Sequence, residues 1–238
     1  MDHKSYNGMA WIYESLGQLY SGGSIYKAKA SQVEEMRPGE AVLYVGVGPG
    51  EDAVLAGMLG ADVTCIDIAP QMLRQVESRF QAAGLPVELI CGDVLSHNRT
   101  GHYDVVAVNF FLNVFAEAPM QAMLTHIATL VKPGGKLLIS DFTAPRGGWL
   151  GRTVQAWYWG VTNLFYYLLR LCAWHAIYDY PRYFAAAGLE FRGIRQFRVG
   201  RFGPQGFCAI TAVRCEPAFA DSSHYSPDST LSLTGSLQ

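Results

Sequence analysis

Three glycines at alternate positions, Gly46, Gly48 and Gly50, stand directly before two acids, Glu51 and Asp52, in the stretch AVLYVGVGPGED. Glycines at this spacing let a ligand approach backbone N–H groups that side chains would otherwise cover, and such a turn at a helix start holds an anionic group. A dinucleotide fingerprint, GxGxxG, has a glycine where this chain has Glu51. Two carboxylates beside the loop repel a pyrophosphate but tolerate an ammonium and a sulfonium, while the loop N–H groups hold a carboxylate. S-adenosylmethionine carries all three groups.

Other residues extend the site. Asp67 falls about 20 residues past the glycines, where an acid at a strand end accepts both ribose hydroxyls of a nucleotide. Ile68 then lies beside the adenine, and Met72 covers its other face. For Asp67 the alternative is a cap on the following helix. Asp141 ends another strand, on the edge where open α/β sheets place ligands, and is a candidate to orient a substrate hydroxyl or take its proton; a loop cap is the competing role. His175 is embedded in an apolar segment, four residues before Asp179, a spacing that shares one helical face. An imidazole there suits proton removal from a phenol or an activated ring carbon, with a hydrogen-bonded structural histidine as the alternative. His97, His102 and His126 read as solvated or packing residues.

The elements that must position these groups follow from periodicity. Ala41–Val45, 62–68, 87–91, 103–109, 136–141, 189–199 and 206–213 read as strands; the first has no polar alternation, as in a parallel strand buried on both faces. Helical patterns open at Glu51 and span 70–83, 118–131 and 182–187, with Gly84 and Gly188 as stops. Pro133, Gly134 and Gly135 make a helix stop and turn. Two further helical patterns precede the sheet, broken by SGGS at 21–24.

With the glycine turn, the acid at 67 and VKPGGKLLI in place, the chain resembles the class I S-adenosylmethionine-dependent methyltransferases, whose first motif is close to VLDxGxGxG. Tyr44 stands where that motif usually carries an acid. The N-terminal YNGMAWIYESLGQLY is similar to the lid helices of ubiquinone and menaquinone methylases. The resemblance implies a Rossmann-like α/β fold: a seven-stranded, mostly parallel sheet with an antiparallel last strand, helices on both faces, and a helical N-terminal lid. It implies a cofactor site of Tyr44, Gly46, Gly48, Gly50, Asp67, Ile68, Met72, Asp93, Val94, Asn109 and Phe110, with Asp93 meeting the adenine amino group. Rings near the sulfonium, among them Tyr13, Phe110 and Trp157, favour that cation. Candidate catalytic residues are His175, Asp141 and Tyr13.

Composition sets the partners. The 238 residues carry a net charge of -2, which gives no reason to invoke nucleic acid. Charged residues are 16% and aromatics 13%, a balance suited to an apolar substrate or a membrane surface. Five scattered cysteines, odd in number and without CxxC spacing, indicate neither a disulfide framework nor a metal. The N-terminus lacks a secretory pattern, so a cytoplasmic home is expected.

The organisation expected is a lid at 1–36, a methyltransferase domain at 37–215 with an aromatic helical insertion at about 149–180, and a disordered tail at 216–238. Residues 153–169 carry no charge, but about 17 residues fall short of the ~20 a spanning helix needs. That segment suits an acceptor wall, a peripheral membrane contact or a homodimer face. The function expected is methyl transfer to a small lipophilic acceptor. A cofactor-binding protein without transferase activity and a nicotinamide-dependent oxidoreductase are the rivals.

Overall fold

The computed structural model describes residues 21–143, 148, 149, 152, 153, 156, 157, 160, 177–200 and 203–216. Tyr13, His175, most of the aromatic insertion and the tail beyond residue 216 lie outside the described residues.

Seven strands form one sheet in the order β3-β2-β1-β4-β5-β7-β6. Strands β1 (Ala41–Val45), β2 (Asp62–Asp67), β3 (Glu88–Cys91), β4 (Tyr103–Asn109) and β5 (Val131–Phe142) are parallel. The last two, β6 (Leu189–Arg198) and β7 (Gln205–Arg214), make an antiparallel hairpin in which β7 lies between β5 and β6. Around the sheet pack α1 (Ser24–Ala30), α2 (Glu51–Leu59), α3 (Pro70–Ala83), α4 (Glu117–Leu130) and the single turn α5 (Pro181–Phe184).

Both faces of β1 are buried, which explains its unbroken apolar run. Leu43 and Val45 join the cluster under α4, with Met120, Leu124 and Ile127. Val42 and Tyr44 join the opposite cluster, with Ala53 and Ala56 of α2 and Leu73, Val76 and Phe80 of α3. Pro70 sits in the first turn of α3 and Gly84 ends it at φ 67, the arrangement each residue type favours.

One expected turn takes a different form. The KPGG stretch lies within β5, where the register slips: Tyr103 pairs with Val131, but Val105 pairs with Lys136. The extra residues form a bulge that lets the chain leave α4 and rejoin the ladder without a separate loop. Gly135 is confined there, since a Cβ would lie 2.8 Å from the Asp104 carbonyl oxygen.

Between β1 and β4 the strand order reverses, and the crevice outside their carboxyl ends is where such sheets receive ligands. The glycine turn follows β1, Asp67 ends β2 and Asn109 ends β4, so three of the expected site segments meet there. Helix α1 is tied to the far hairpin by Ser24 Oγ, which donates to the Arg198 carbonyl at 2.5 Å.

Candidate active site

The glycine turn is pinned from below, where Gly46 N donates to the Ile66 carbonyl at 2.9 Å. Its three glycines do different work. A Cβ on Gly46 would meet the Phe111 ring at 2.4 Å and one on Gly50 would meet Val76 at 2.7 Å, so packing excludes side chains at both. At Gly48 an added Cβ meets nothing within 4 Å. That residue faces open space.

Asp67 lies next to it. Oδ2 accepts from Gly48 N at 3.3 Å and Oδ1 from Ala69 N at 2.8 Å, so the carboxylate joins the glycine turn to the start of α3. It is not the helix cap, for Ala69 holds that position. Burial pushes the Asp67 carboxyl above its usual range, against the pull of N–H groups from Ala69, Gly48 and Ile68.

Beyond Asp67, Ile68 is 54% exposed although apolar, and Met72 is nearly buried in the first turn of α3. Asp93 is exposed; Oδ1 accepts from Leu95 N at 2.9 Å and starts the 3-10 turn Val94–Ser96. As the first residue of that turn, Val94 has an N–H with no acceptor inside it. Its carbonyl is held by His126 Nε2 at 2.8 Å, which also reaches the His97 carbonyl at 3.1 Å. His126 is thus a strap on this loop, a role its mid-helix position in the sequence did not show. His97 is not simply solvated either: Nε2 lies 2.9 Å from the Tyr103 hydroxyl, and burial lowers its pKa.

Two expectations about acids are corrected. Tyr44 is 2% exposed, and its hydroxyl donates to the Asp52 carbonyl at 3.1 Å, so it supports the start of α2 from inside the core. Asp52 does not present its charge to the loop either. It is buried, with Asn109 Nδ2 donating to Oδ2 at 2.6 Å and the Lys29 ammonium 3.2 Å from Oδ1. Lys29, on α1, is a residue whose partner lay too far along the chain for sequence pattern to find.

Asn109 works on both sides, since its Oδ1 accepts from Ser140 N at 3.2 Å and couples β5 to Asp52. The next residue, Phe110, has φ 53, the one positive value among described non-glycine residues. Strain of this kind gathers at functional sites, and here the Phe110 N–H donates to Ser140 O at 2.8 Å while its ring packs edge-on against Phe142 and Phe207.

Asp141 is also corrected as a proton acceptor. It is 1% exposed; Oδ1 accepts from Asn113 Nδ2 and from Phe142 N, each at 2.7 Å, and Oδ2 from the Tyr180 hydroxyl at 2.5 Å. A general base must reach its substrate, and this carboxylate is sealed and committed. It anchors the chain where the insertion returns to the sheet, and burial together with Asp141 drives the Tyr180 phenol well above its ordinary pKa. Tyr178 adds a second tie, donating to the Phe115 carbonyl at 2.9 Å, with burial pushing its pKa to about 12. Asp179 is not helical and pairs with Arg182 at 3.0 Å, while His175, its expected partner on a helix face, lies outside the described residues. Trp157 is 74% exposed, so it cannot wall a desolvated sulfonium.

The sheet order, the open glycine turn and the acid at the end of β2 define a domain of the class I methyltransferase fold. Residues 42–135 match the family described as a methyltransferase domain, and over that stretch the chain resembles the S-adenosylmethionine-dependent methyltransferases, the quinone methylases among them. It is 29% identical to a demethylmenaquinone methyltransferase of Tropheryma whipplei over 146 residues, 60% of this chain and 59% of that one. A ribosomal protein L11 methyltransferase of Burkholderia vietnamiensis is 36% identical over 118 residues, 47% of this chain and 35% of that protein. The chain therefore spans less than two thirds of the length of these curated relatives. In fold it is similar to magnesium protoporphyrin IX methyltransferase from Synechocystis PCC 6803, solved with bound S-adenosylmethionine, at a TM-score of 0.58 and 18% identity, covering 80% of this chain and 77% of that one. Among the described residues no helix is long and apolar enough to cross a membrane.

Proposed function

We propose that this chain transfers a methyl group from S-adenosylmethionine to a small lipophilic acceptor. The observation that carries the cofactor half is the Asp67 carboxylate, bound by the Gly48 and Ala69 N–H groups beside a glycine whose Cβ direction is open. A carboxylate has about four lone-pair directions, and the backbone N–H groups turned toward Asp67 do not fill them all, which leaves its outer edge for ribose hydroxyls. Ile68, exposed beside it, supplies apolar surface for a base, and Asp93 keeps Oδ2 for an exocyclic amine. The donor set fits the group. When bound, S-adenosylmethionine supplies an already activated methyl, so the protein's task is alignment, worth on the order of 7 to 11 kcal/mol of a barrier.

What supports an apolar acceptor is the stretch 142–178, which contains ten Phe, Trp and Tyr residues and no acid. Tyr178 and Tyr180 fasten the end of that stretch to Phe115 and Asp141, beside the strained Phe110. With Asp141 sealed, His175 is the candidate proton acceptor. A demethylmenaquinone methyltransferase among the relatives is consistent with a ring-bearing acceptor.

Calorimetric titration with S-adenosylmethionine, followed by release of S-adenosylhomocysteine in the presence of quinones, phenols or lipid extracts, tests the proposal. Binding with turnover on an apolar acceptor is expected, and His175→Ala should slow turnover without weakening cofactor binding. Tight binding without turnover would indicate a cofactor-binding platform, and turnover on a ribosomal protein alone would refute the acceptor class. NADH binding in place of S-adenosylmethionine would overturn the cofactor.

A further inference from the structure

One turn at the crevice is held by a side chain from another element. Asp93 heads the Val94–Ser96 turn, and its Oδ1 accepts from Leu95 N at 2.9 Å. The backbone bonds inside the turn are local: Ser96 N donates to the Asp93 carbonyl at 2.9 Å and His97 N to the Val94 carbonyl at 3.0 Å. His126, in the middle of α4, reaches the turn from outside, with Nε2 2.8 Å from the Val94 carbonyl oxygen and 3.1 Å from that of His97. Both neighbours are acceptors, so Nε2 carries the proton and shares it between them.

The Val94 carbonyl and the Leu95 N–H belong to one peptide unit. A hydrogen bond donated to that oxygen polarises the unit and strengthens the bond its N–H makes in turn. The unit is also planar, so an oxygen fixed from α4 fixes the direction of the N–H on its far side. His126 thus acts on Asp93 across a single rigid group: imidazole to carbonyl, then amide to carboxylate. Asp93 is exposed, where a carboxylate would otherwise turn freely, and the relay commits Oδ1 and leaves Oδ2 for a ligand. The turn shares a frame with the acid of β2, since Gly92 N donates to the Asp67 carbonyl at 3.0 Å.

We propose that His126 is a positioning residue for recognition of the cofactor's base, holding the Val94–Leu95 peptide so that the Asp93 carboxylate meets the exocyclic amine of adenine. This rests on the S-adenosylmethionine reading above. His126 acts through Asp93, and its contribution is selectivity between bases.

Calorimetric Kd values for S-adenosylhomocysteine and S-inosylhomocysteine, which carries a carbonyl oxygen in place of the amine, test this. An ionised acceptor favours the amine, so the wild-type chain should prefer the adenosyl compound by about ten- to a hundredfold. His126→Phe keeps a ring but no donor and should cut that preference at least about fivefold. His126→Gln, with a donor near the place of Nε2, should retain most of it. In an Asp93→Ala background His126→Phe should leave the ratio unchanged, because the relay then has no end. A histidine that only braces the fold would weaken both compounds together and leave their ratio alone. The proposal is overturned if His126→Phe keeps the wild-type preference, if His126→Gln loses as much as His126→Phe, or if the effect persists in Asp93→Ala. Should His126→Phe fail to melt cooperatively, His126→Met set against His126→Gln makes the same comparison. A wild-type chain that binds neither compound overturns the cofactor reading and this proposal with it. One that binds both without preference leaves that reading standing and overturns this proposal alone.

Discussion

Replacing Asp67 by Asn separates the crevice's chemistry from its architecture. Two ribose hydroxyls donating to an ionised acceptor contribute about 1.5 to 3 kcal/mol each. Asn keeps one oxygen and nearly the same shape, so the expected loss is about 3 kcal/mol, roughly a hundredfold in Kd. The fold should lose far less. Only one of the N–H groups of Gly48 and Ala69 loses its acceptor, about 1 kcal/mol, and a charge that burial disfavours is removed. The melting temperature should therefore fall by about 2 to 4 °C. The pH dependence carries a second signature. Ribose hydroxyls need the ionised form, so affinity is complete above the raised pKa of Asp67 and falls as pH drops through it, starting at higher pH than for an ordinary aspartate. Fold stability runs the other way: a raised folded-state pKa means this group's contribution is lost as pH rises through it. Calorimetric titration with S-adenosylhomocysteine between neutral and mildly acidic pH measures both proteins. A variant Kd within threefold of wild type, or an acid fall-off that survives in the variant, would refute the assignment of the sugar to Asp67.

Gly48→Val should fold, because its Cβ points into open space, at a cost of about 1–2 kcal/mol for a side chain at φ 58, but should show no cofactor binding by calorimetry. Tyr180→Phe removes a donor from the buried Asp141 and should cost about 1.5 to 3 kcal/mol in urea unfolding, with cofactor affinity unchanged; full stability would make the 2.5 Å contact incidental. Lys29→Met strands the buried Asp52 charge and should cost about 3 to 5 kcal/mol, most of it regained in Lys29→Met with Asp52→Asn, and a double variant no more stable than the single would sink the ion pair.

How far the sequence reveals this protein depends on the range of the interaction. Strand β1, the glycine turn, α3 and β4 stand at the residues their patterns predict, because strand burial, helix period and glycine stops are local signals. Asp67 was legible because chain geometry fixes its offset from the glycines. The roles of Lys29, Asn113 and Tyr180 were not, since each depends on a partner between 23 and 39 residues away. Tyr44 and Asp141 show the opposite error. Residue type and strand position put a polar group at the crevice, but burial and hydrogen bonding decide whether it faces the ligand or the core. The KPGG bulge required knowing that β5 keeps pairing with β4 across the glycines.

The sheet order has a consequence for how the chain is made. Strand β6 emerges from the ribosome before β7, yet β7 is its sole neighbour in the sheet, so β6 has nowhere to add until the polypeptide has been read through residue 214. Helix α1, translated well before both strands, waits on the same event, because Ser24 fastens to Arg198 and the Ser21 carbonyl receives the Gly200 N–H. The five parallel strands are able to assemble during synthesis, whereas the earliest described helix is secured last. A nascent chain stalled before the final strand would thus hold the glycine crevice without the clasp that closes beside it.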